Sequence, residues 1–128
     1  MDFPSELRYT KDHEWIRVEA DGRTATIGIT DFAQSELGDI IFVELEPEDS
    51  AIDQEAVFGT VEAVKTVSEL FMPVSGTIAG HNADLVANPE RINEDPYGKG
   101  WLAKIVMSDP AQVDDLLSAE AYADLVGA

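Results

Sequence analysis

The chain has 128 residues, enough for one domain with its own core, and its apolar content of 45% is ordinary for a globular protein. Its formal net charge of −18 rules out nucleic acid and anionic membrane as partners bound through the general field, and points to basic patches on partner proteins. It contains no cysteine, so disulfides, thiol catalysis and thiolate-bound metals are excluded and any redox chemistry must ride on an attached group.

No apolar run approaches the roughly 18 residues of a membrane span. The acidic start, Met1 to Glu6, has neither a secretory apolar region nor an Arg-rich transit pattern, so a cytoplasmic, bacterial-type location is expected. From Leu7 to Glu19 the pattern alternates loosely, with Trp15, Ile16 and Val18 as strand formers. An Asp21-Gly22 turn then leads into Thr24–Ile29, a hairpin signal. Thr30 or Asp31 can cap a short helix from Phe32 to Leu37 that Gly38 ends. A strand follows over Asp39–Glu46, with Ile41, Val43 and Leu45 on one face and Phe42 and Glu44 on the other. Pro47 to Gln54 reads as a polar loop.

The stretch Phe58–Gly76 is the most informative. Lys65 sits within it, and from Thr24 through Glu90 it is the only Lys or Arg among thirteen Asp and Glu residues. Helical spacing (Val57, Val61, Val64, Ser68, Phe71) competes here with a hairpin whose tip is Lys65. Six of the eleven residues from Val57 to Val67 are Val or Thr, which suit a pleated surface. Gly59 weakens a helix, and Pro73 closes the second arm as it would close a strand. The hairpin is the expectation, although the turn lacks Asn-Gly or Asp-Gly.

Val74 to Gly80 reads as a turn and a strand, Asn82 to Ala87 as a helical turn capped by Asn82, and Asn88 to Gly100 as a loop rich in Pro, Gly and Asn. Trp101–Val106 is the last strand, and both tryptophans are expected in the core. Asp109 before Pro110 marks a helix start whose buried face is Val113, Leu116 and Leu117. Ser118 begins a second helix to Val126. Many short strands with helices gathered at the end give a β-rich domain with a small α addition. A faint repeat, Gly38-Asp39-Ile40-Ile41 and Gly76-Thr77-Ile78, suggests two similar halves in a flattened barrel-sandwich. His13 and His81 stand apart without the clustered ligands of a metal site, and no residue shows the partners of a catalytic nucleophile.

The run from Gly59 to Gly76, with Glu62 three before Lys65 and Gly76 eleven after it, resembles the lipoyl-attachment motif of the glycine cleavage system H protein family. Tyr9–Trp15, Ala25–Asp31, Leu37–Leu45 and Asp95–Leu102 resemble that family's other blocks, in its order. The resemblance implies a lipoyl/biotinyl-type barrel-sandwich hybrid with a C-terminal helical segment. One lipoyl-carrier domain would span residues 1–128, with its lipoyl hairpin at about 57–73 and its helices at about 109–126. It implies lipoate attached covalently to Lys65 as N6-lipoyllysine, with Glu62 and Gly76 read by the lipoyl ligase or transferase. The function implied is a non-catalytic carrier, a monomer. It would take the aminomethyl group of glycine from glycine decarboxylase (P protein) to the aminomethyltransferase (T protein), and dihydrolipoamide dehydrogenase (L protein) would reoxidise the arm.

A reactive aminomethylated arm needs a cleft that excludes water and a carboxylate to offset its amine. The resemblance places that cleft at Glu14, Phe32, Glu36 and Glu69. The family commonly has His at the position of Phe32, small Ala residues at Thr66-Val67, and often Asp at Glu69. The competing reading of Glu14 and Glu36 is plain surface solvation. Three further functions stay open: a lipoyl relay donating lipoate to other carrier domains, a biotin carrier, whose lysine usually lies between two Met residues, and an unmodified acidic interaction module.

Overall fold

The computed structural model describes residues 1–127. Nine strands, β1 (Arg8–Tyr9), β2 (Glu14–Val18), β3 (Thr24–Ile29), β4 (Ile40–Leu45), β5 (Ala51–Ile52), β6 (Val57–Ala63), β7 (Val67–Phe71), β8 (Gly76–His81) and β9 (Ala103–Met107), form two sheets among these residues. One is six-stranded in the order β1-β2-β3-β9-β8-β5, and the other is three-stranded in the order β4-β6-β7. Four helices, α1 (Asp31–Leu37), α2 (Asp84–Ala87), α3 (Arg91–Glu94) and α4 (Ala119–Val126), lie between and after them.

Inward side chains of both sheets make the main core, with Ile27, Phe58, Val74, Ile78 and Ile105 fully buried. This is the β-rich sandwich that the short strands and turn residues imply, and the stretch around Lys65 is a hairpin, β6–β7, in register from Val57↔Phe71 to Glu62↔Val67. The Asp21-Gly22 turn joins β2 to β3, with Gly22 at φ 71° where a side chain would be strained. Thr30 rather than Asp31 caps α1, its hydroxyl accepting from the Ala33 N–H, and Gly38 ends the helix at φ 79°.

A second, smaller core gathers Leu7, Tyr9, Trp15, Ala119 and Tyr122. It binds the N-terminal segment and α4 to the edge of the large sheet, where Tyr9 and Leu117 exchange backbone hydrogen bonds. The C-terminal segment is therefore anchored by Tyr122, whereas the expected anchors Val113, Leu116 and Leu117 are only half-buried. Pro110–Asp115 is a 3₁₀ turn, and Ser118 caps α4 as its position suggested.

Other expectations are corrected locally. A register shift between Ile40 and Phe42 turns Ile41 out to 54% exposure, so it does not share a face with Val43 and Leu45. The polar loop after Pro47 contains β5, which pairs with β8, and the loop after Asn88 contains α3, whose Ile92 enters the main core. Asn82 does two things: its Oδ1 accepts the N–H of Asp84, the first residue of α2, at 3.3 Å, and its amide NH2 donates to the Lys99 and Trp101 carbonyls and ties the loop before β9 in place. Trp15 is fully buried, but Trp101 is half-buried beneath the Lys104 ammonium, 5.6 Å from the ring centre.

Candidate functional site

The β6–β7 connection is a two-residue loop, Val64-Lys65, closed by the Ala63 N–H donating to the Thr66 carbonyl at 2.8 Å. Neither corner residue has a positive φ, so the loop is not one of the turns whose twist matches a hairpin. An outside contact offsets this: the Val64 N–H donates to the Asp39 carbonyl at 3.1 Å, pinning the tip to the residue before β4. Lys65 is exposed, and none of the ion pairs among the described residues includes it. A fixed backbone thus presents a free amine.

Beside the tip a groove of about 310 Å³ is lined by Lys65, Val64, Asp39 and the end of α1. Glu36 and Leu37 line this groove and also a neighbouring cleft of about 190 Å³, so the surface runs continuously from Lys65 into the cleft. The start of β2, helix α1 and the edge strand β7 wall the cleft. Glu14, Phe32, Glu36 and Glu69 all line it. Because the cleft lies against the edge of the small sheet, consecutive residues of β7 (Ser68, Glu69 and Leu70) reach it instead of alternate ones.

Glu14 is 2% exposed, so the solvated-surface alternative is wrong for this residue, whereas Glu36 is exposed. Thr10 Oγ1 donates to Glu14 Oε1 at 2.7 Å, and the Phe71 N–H, on the free edge of β7, donates to Oε2 at 3.2 Å. Among the described residues no cation pairs with this carboxyl. Burial pushes its pKa up to about 8, against the pull of its two hydrogen bonds. It is an acid held in a wall with its countercharge missing, and a cation brought into the cleft would favour its ionised form.

His13 and Asp12 also line the cleft, although neither was singled out as a cleft residue from the sequence. His13 takes φ 71° to end the turn before β2, and this aims its ring at the cleft, 5.0 Å from the Phe32 ring. Its Nδ1 lies 2.9 Å from the Tyr122 hydroxyl. Burial lowers its pKa, with Asp12 and Glu36 pulling the other way, so it is neutral near pH 7. The only sequence signal for His13 was its place beside Glu14.

Glu62 is half-buried three residues before Lys65, in register between Phe42 and Val67. Gly76 lies buried in the other sheet, where an added Cβ would stand 2.6 Å from the Val106 carbonyl oxygen, so packing alone requires glycine there. A larger hollow of about 300 Å³ lies behind Glu14, lined by Thr10, Gln54, Met72 and Pro73 and bordered by the Lys11–Glu55 pair at 3.6 Å. Lys65 does not reach it, so the smaller cleft is the one coupled to the free amine. Among the described residues no group of three or more His, Asp or Glu side chains could hold a metal ion, and no helix is long and apolar enough to cross a membrane.

The family model described as glycine cleavage H-protein matches residues 7–128. The chain is 60% identical over 125 residues to a protein of Salinibacter ruber named glycine cleavage system H protein, covering 98% of this chain and 99% of that protein. It is 57% identical to the protein of that name from Chlorobium phaeovibrioides, covering 99% of each. A crystal structure of a glycine cleavage system H protein from Mycobacterium marinum superposes with a TM-score of 0.90 at 37% identity, covering 98% of this chain and all of that one.

Proposed function

The chain belongs to the glycine cleavage H-protein family, and from that membership and the geometry around Lys65 we propose that it is a lipoyl carrier and not itself a catalyst. It works as one lipoyl-carrier domain in the cytoplasm. It receives the aminomethyl group of glycine from glycine decarboxylase, delivers it to the aminomethyltransferase, and is returned to the disulfide form by dihydrolipoamide dehydrogenase. When bound, the lipoyl group supplies the disulfide that accepts and carries this cargo.

The residues fit such an arm. Lys65 offers a free amine at a pinned tip, and Glu62 and the exposed Glu69 provide acidic marks beside it for the basic surface of a lipoyl ligase or transferase. Gly76 serves recognition only through the packing that shapes the two sheets. The groove beside Glu36 and Leu37 leads into a cleft with Phe32, Ala33, Val61 and Leu70 in its walls, which suits an apolar tail and keeps water away. At its inner wall Glu14 gives a cationic cargo an acceptor, with Glu36 and Glu69 reinforcing the negative field.

The observation that carries the reading is the pairing of a lone, unpaired Lys65 with a buried, uncompensated Glu14 along one continuous surface. The test is the intact mass of protein purified from its native cell, with the adduct mapped by peptide fragmentation. A lipoyl adduct on Lys65 is expected. A biotinyl adduct moves the protein to carboxylase chemistry, and a bare Lys65 in lipoate-replete cells removes the carrier reading.

A further inference from the structure

Tyr122 lies on the C-terminal helix, outside the cleft, yet its hydroxyl touches both walls. It stands 2.7 Å from Thr30 Oγ1, the cap of the helix that carries Phe32, Ala33, Glu36 and Leu37, and 2.9 Å from His13 Nδ1 on the facing wall. The ring is fully buried. It is stacked on Tyr9 at 4.9 Å and held edge-on by Phe3 at 5.1 Å, so the hydroxyl has one place to be.

The protons of this chain can be assigned by counting acceptors. Thr30 is fully buried, and its hydroxyl oxygen already accepts the Ala33 N–H at 3.1 Å. Its own proton has one acceptor in reach, the Tyr122 oxygen. Were the order reversed, with Tyr122 donating to Thr30, the Thr30 proton would point at no acceptor among the described residues, in a site closed to water. Thr30 therefore donates to Tyr122, and the Tyr122 proton goes to the remaining neighbour, His13 Nδ1. A neutral imidazole with a bare Nδ1 carries its proton on Nε2. That edge has no partner among the described residues, and no buried side-chain nitrogen or oxygen among them lacks one, so Nε2 is open to the cleft.

We propose that Tyr122 is a positioning residue of the cleft: through Thr30 O–H to Tyr122 and Tyr122 O–H to His13 Nδ1 it locks His13 as the Nε2–H tautomer. The imidazole then shows a hydrogen-bond donor, and no basic lone pair, to an arm docked beside Glu14. A cationic cargo is thereby steered to the carboxyl groups of Glu14, Glu36, Glu69 and Asp12, and His13 does not compete for its proton. The part concerning the docked arm rests on the carrier reading; the tautomer does not.

The chain has only two histidines, which makes the test direct. In the full, unlipoylated chain with ¹⁵N-labelled imidazoles, long-range proton–nitrogen NMR at neutral pH is expected to show His13 with a bare Nδ1 and a protonated Nε2. His81, whose Nε2 donates to the Glu46 carbonyl at 2.7 Å, is the internal reference. In Tyr122→Phe the His13 pattern is expected to move to an average of both tautomers while His81 stays unchanged. A protonated Nδ1 in the natural protein overturns the assignment without any variant being needed, and so does a His13 pattern unaltered in Tyr122→Phe. In the lipoylated, cargo-loaded protein, Tyr122→Phe is expected to release the cargo to water about threefold to tenfold faster, the worth of one hydrogen bond. An unchanged release rate overturns the positioning role. A chain whose Lys65 accepts no lipoyl group fails the carrier reading and leaves the tautomer result standing.

Discussion

Replacing Glu14 by Gln keeps the shape of the buried side chain and removes its ability to ionise. In the unfolded chain the carboxyl titrates near 4.5, and in the folded protein near 8. Between those values the folded state holds a proton that the unfolded state has released, so stability falls as pH rises through the window and levels off above it. Each pH unit is worth about 1.4 kcal/mol, which makes about 4 kcal/mol between about pH 5 and about pH 8. The Gln side chain loses this dependence. Its amide must face either Thr10 or the Phe71 N–H, so it forfeits one hydrogen bond, about 1 kcal/mol at every pH. Glu14→Gln should therefore be the less stable protein at about pH 5 and the more stable one, by about 3 kcal/mol, at about pH 9. Urea unfolding followed through Trp15 and Trp101 fluorescence at both pH values measures this, and the difference between the two proteins cancels the titration of the groups that are not coupled to Glu14. A stability difference that stays constant across the range would refute an uncompensated carboxyl in the cleft wall. The same coupling predicts that a cationic cargo docking at neutral pH releases a proton from Glu14.

Lys65→Arg should carry no lipoyl adduct and support no glycine oxidation with purified partner enzymes, while its unfolding curve matches that of the natural protein, because the exposed side chain makes no ion pair among the described residues. Glu62→Gln should slow lipoylation about threefold to tenfold at low salt and less at high salt, the signature of a steering charge, read as the rate of adduct formation by mass spectrometry. Gly28→Ala should cost about 1–3 kcal/mol in a thermal or urea melt, because the new Cβ would stand 2.7 Å from the buried Trp15 ring, which is itself tied to the Pro96 carbonyl.

Much of the frame is legible along the chain because its signals are local. Gly22 and Gly38 take the positive φ that their positions suggested, Thr30 and Ser118 cap helices, and the Val and Thr content around Lys65 prevails over a helical spacing of its apolar residues. The isolation of Lys65 among carboxylates is likewise a property of composition, and the structure adds only the bond from Val64 to Asp39 that holds the tip.

The cleft is different. Glu14, Phe32, Glu36 and Glu69 are spread over three separate segments, and only a likeness to known proteins drew them together in advance. A carboxylate in a sequence reads as a solvated group. Glu14 is buried because α1 and the edge of β7 close over it, and the burial, not the residue type, raises its pKa. His13 stands alone in the sequence without clustered ligands, and its aim into the cleft depends on a positive φ and on a tyrosine more than a hundred positions away. Composition and periodicity thus determined a β-rich acidic domain with one lysine at a hairpin tip, since backbone propensity and net charge act locally or add along the chain. Only the tertiary structure decided which acid loses its water and which imidazole nitrogen keeps its proton, since desolvation and hydrogen-bond partners are supplied by segments distant in sequence.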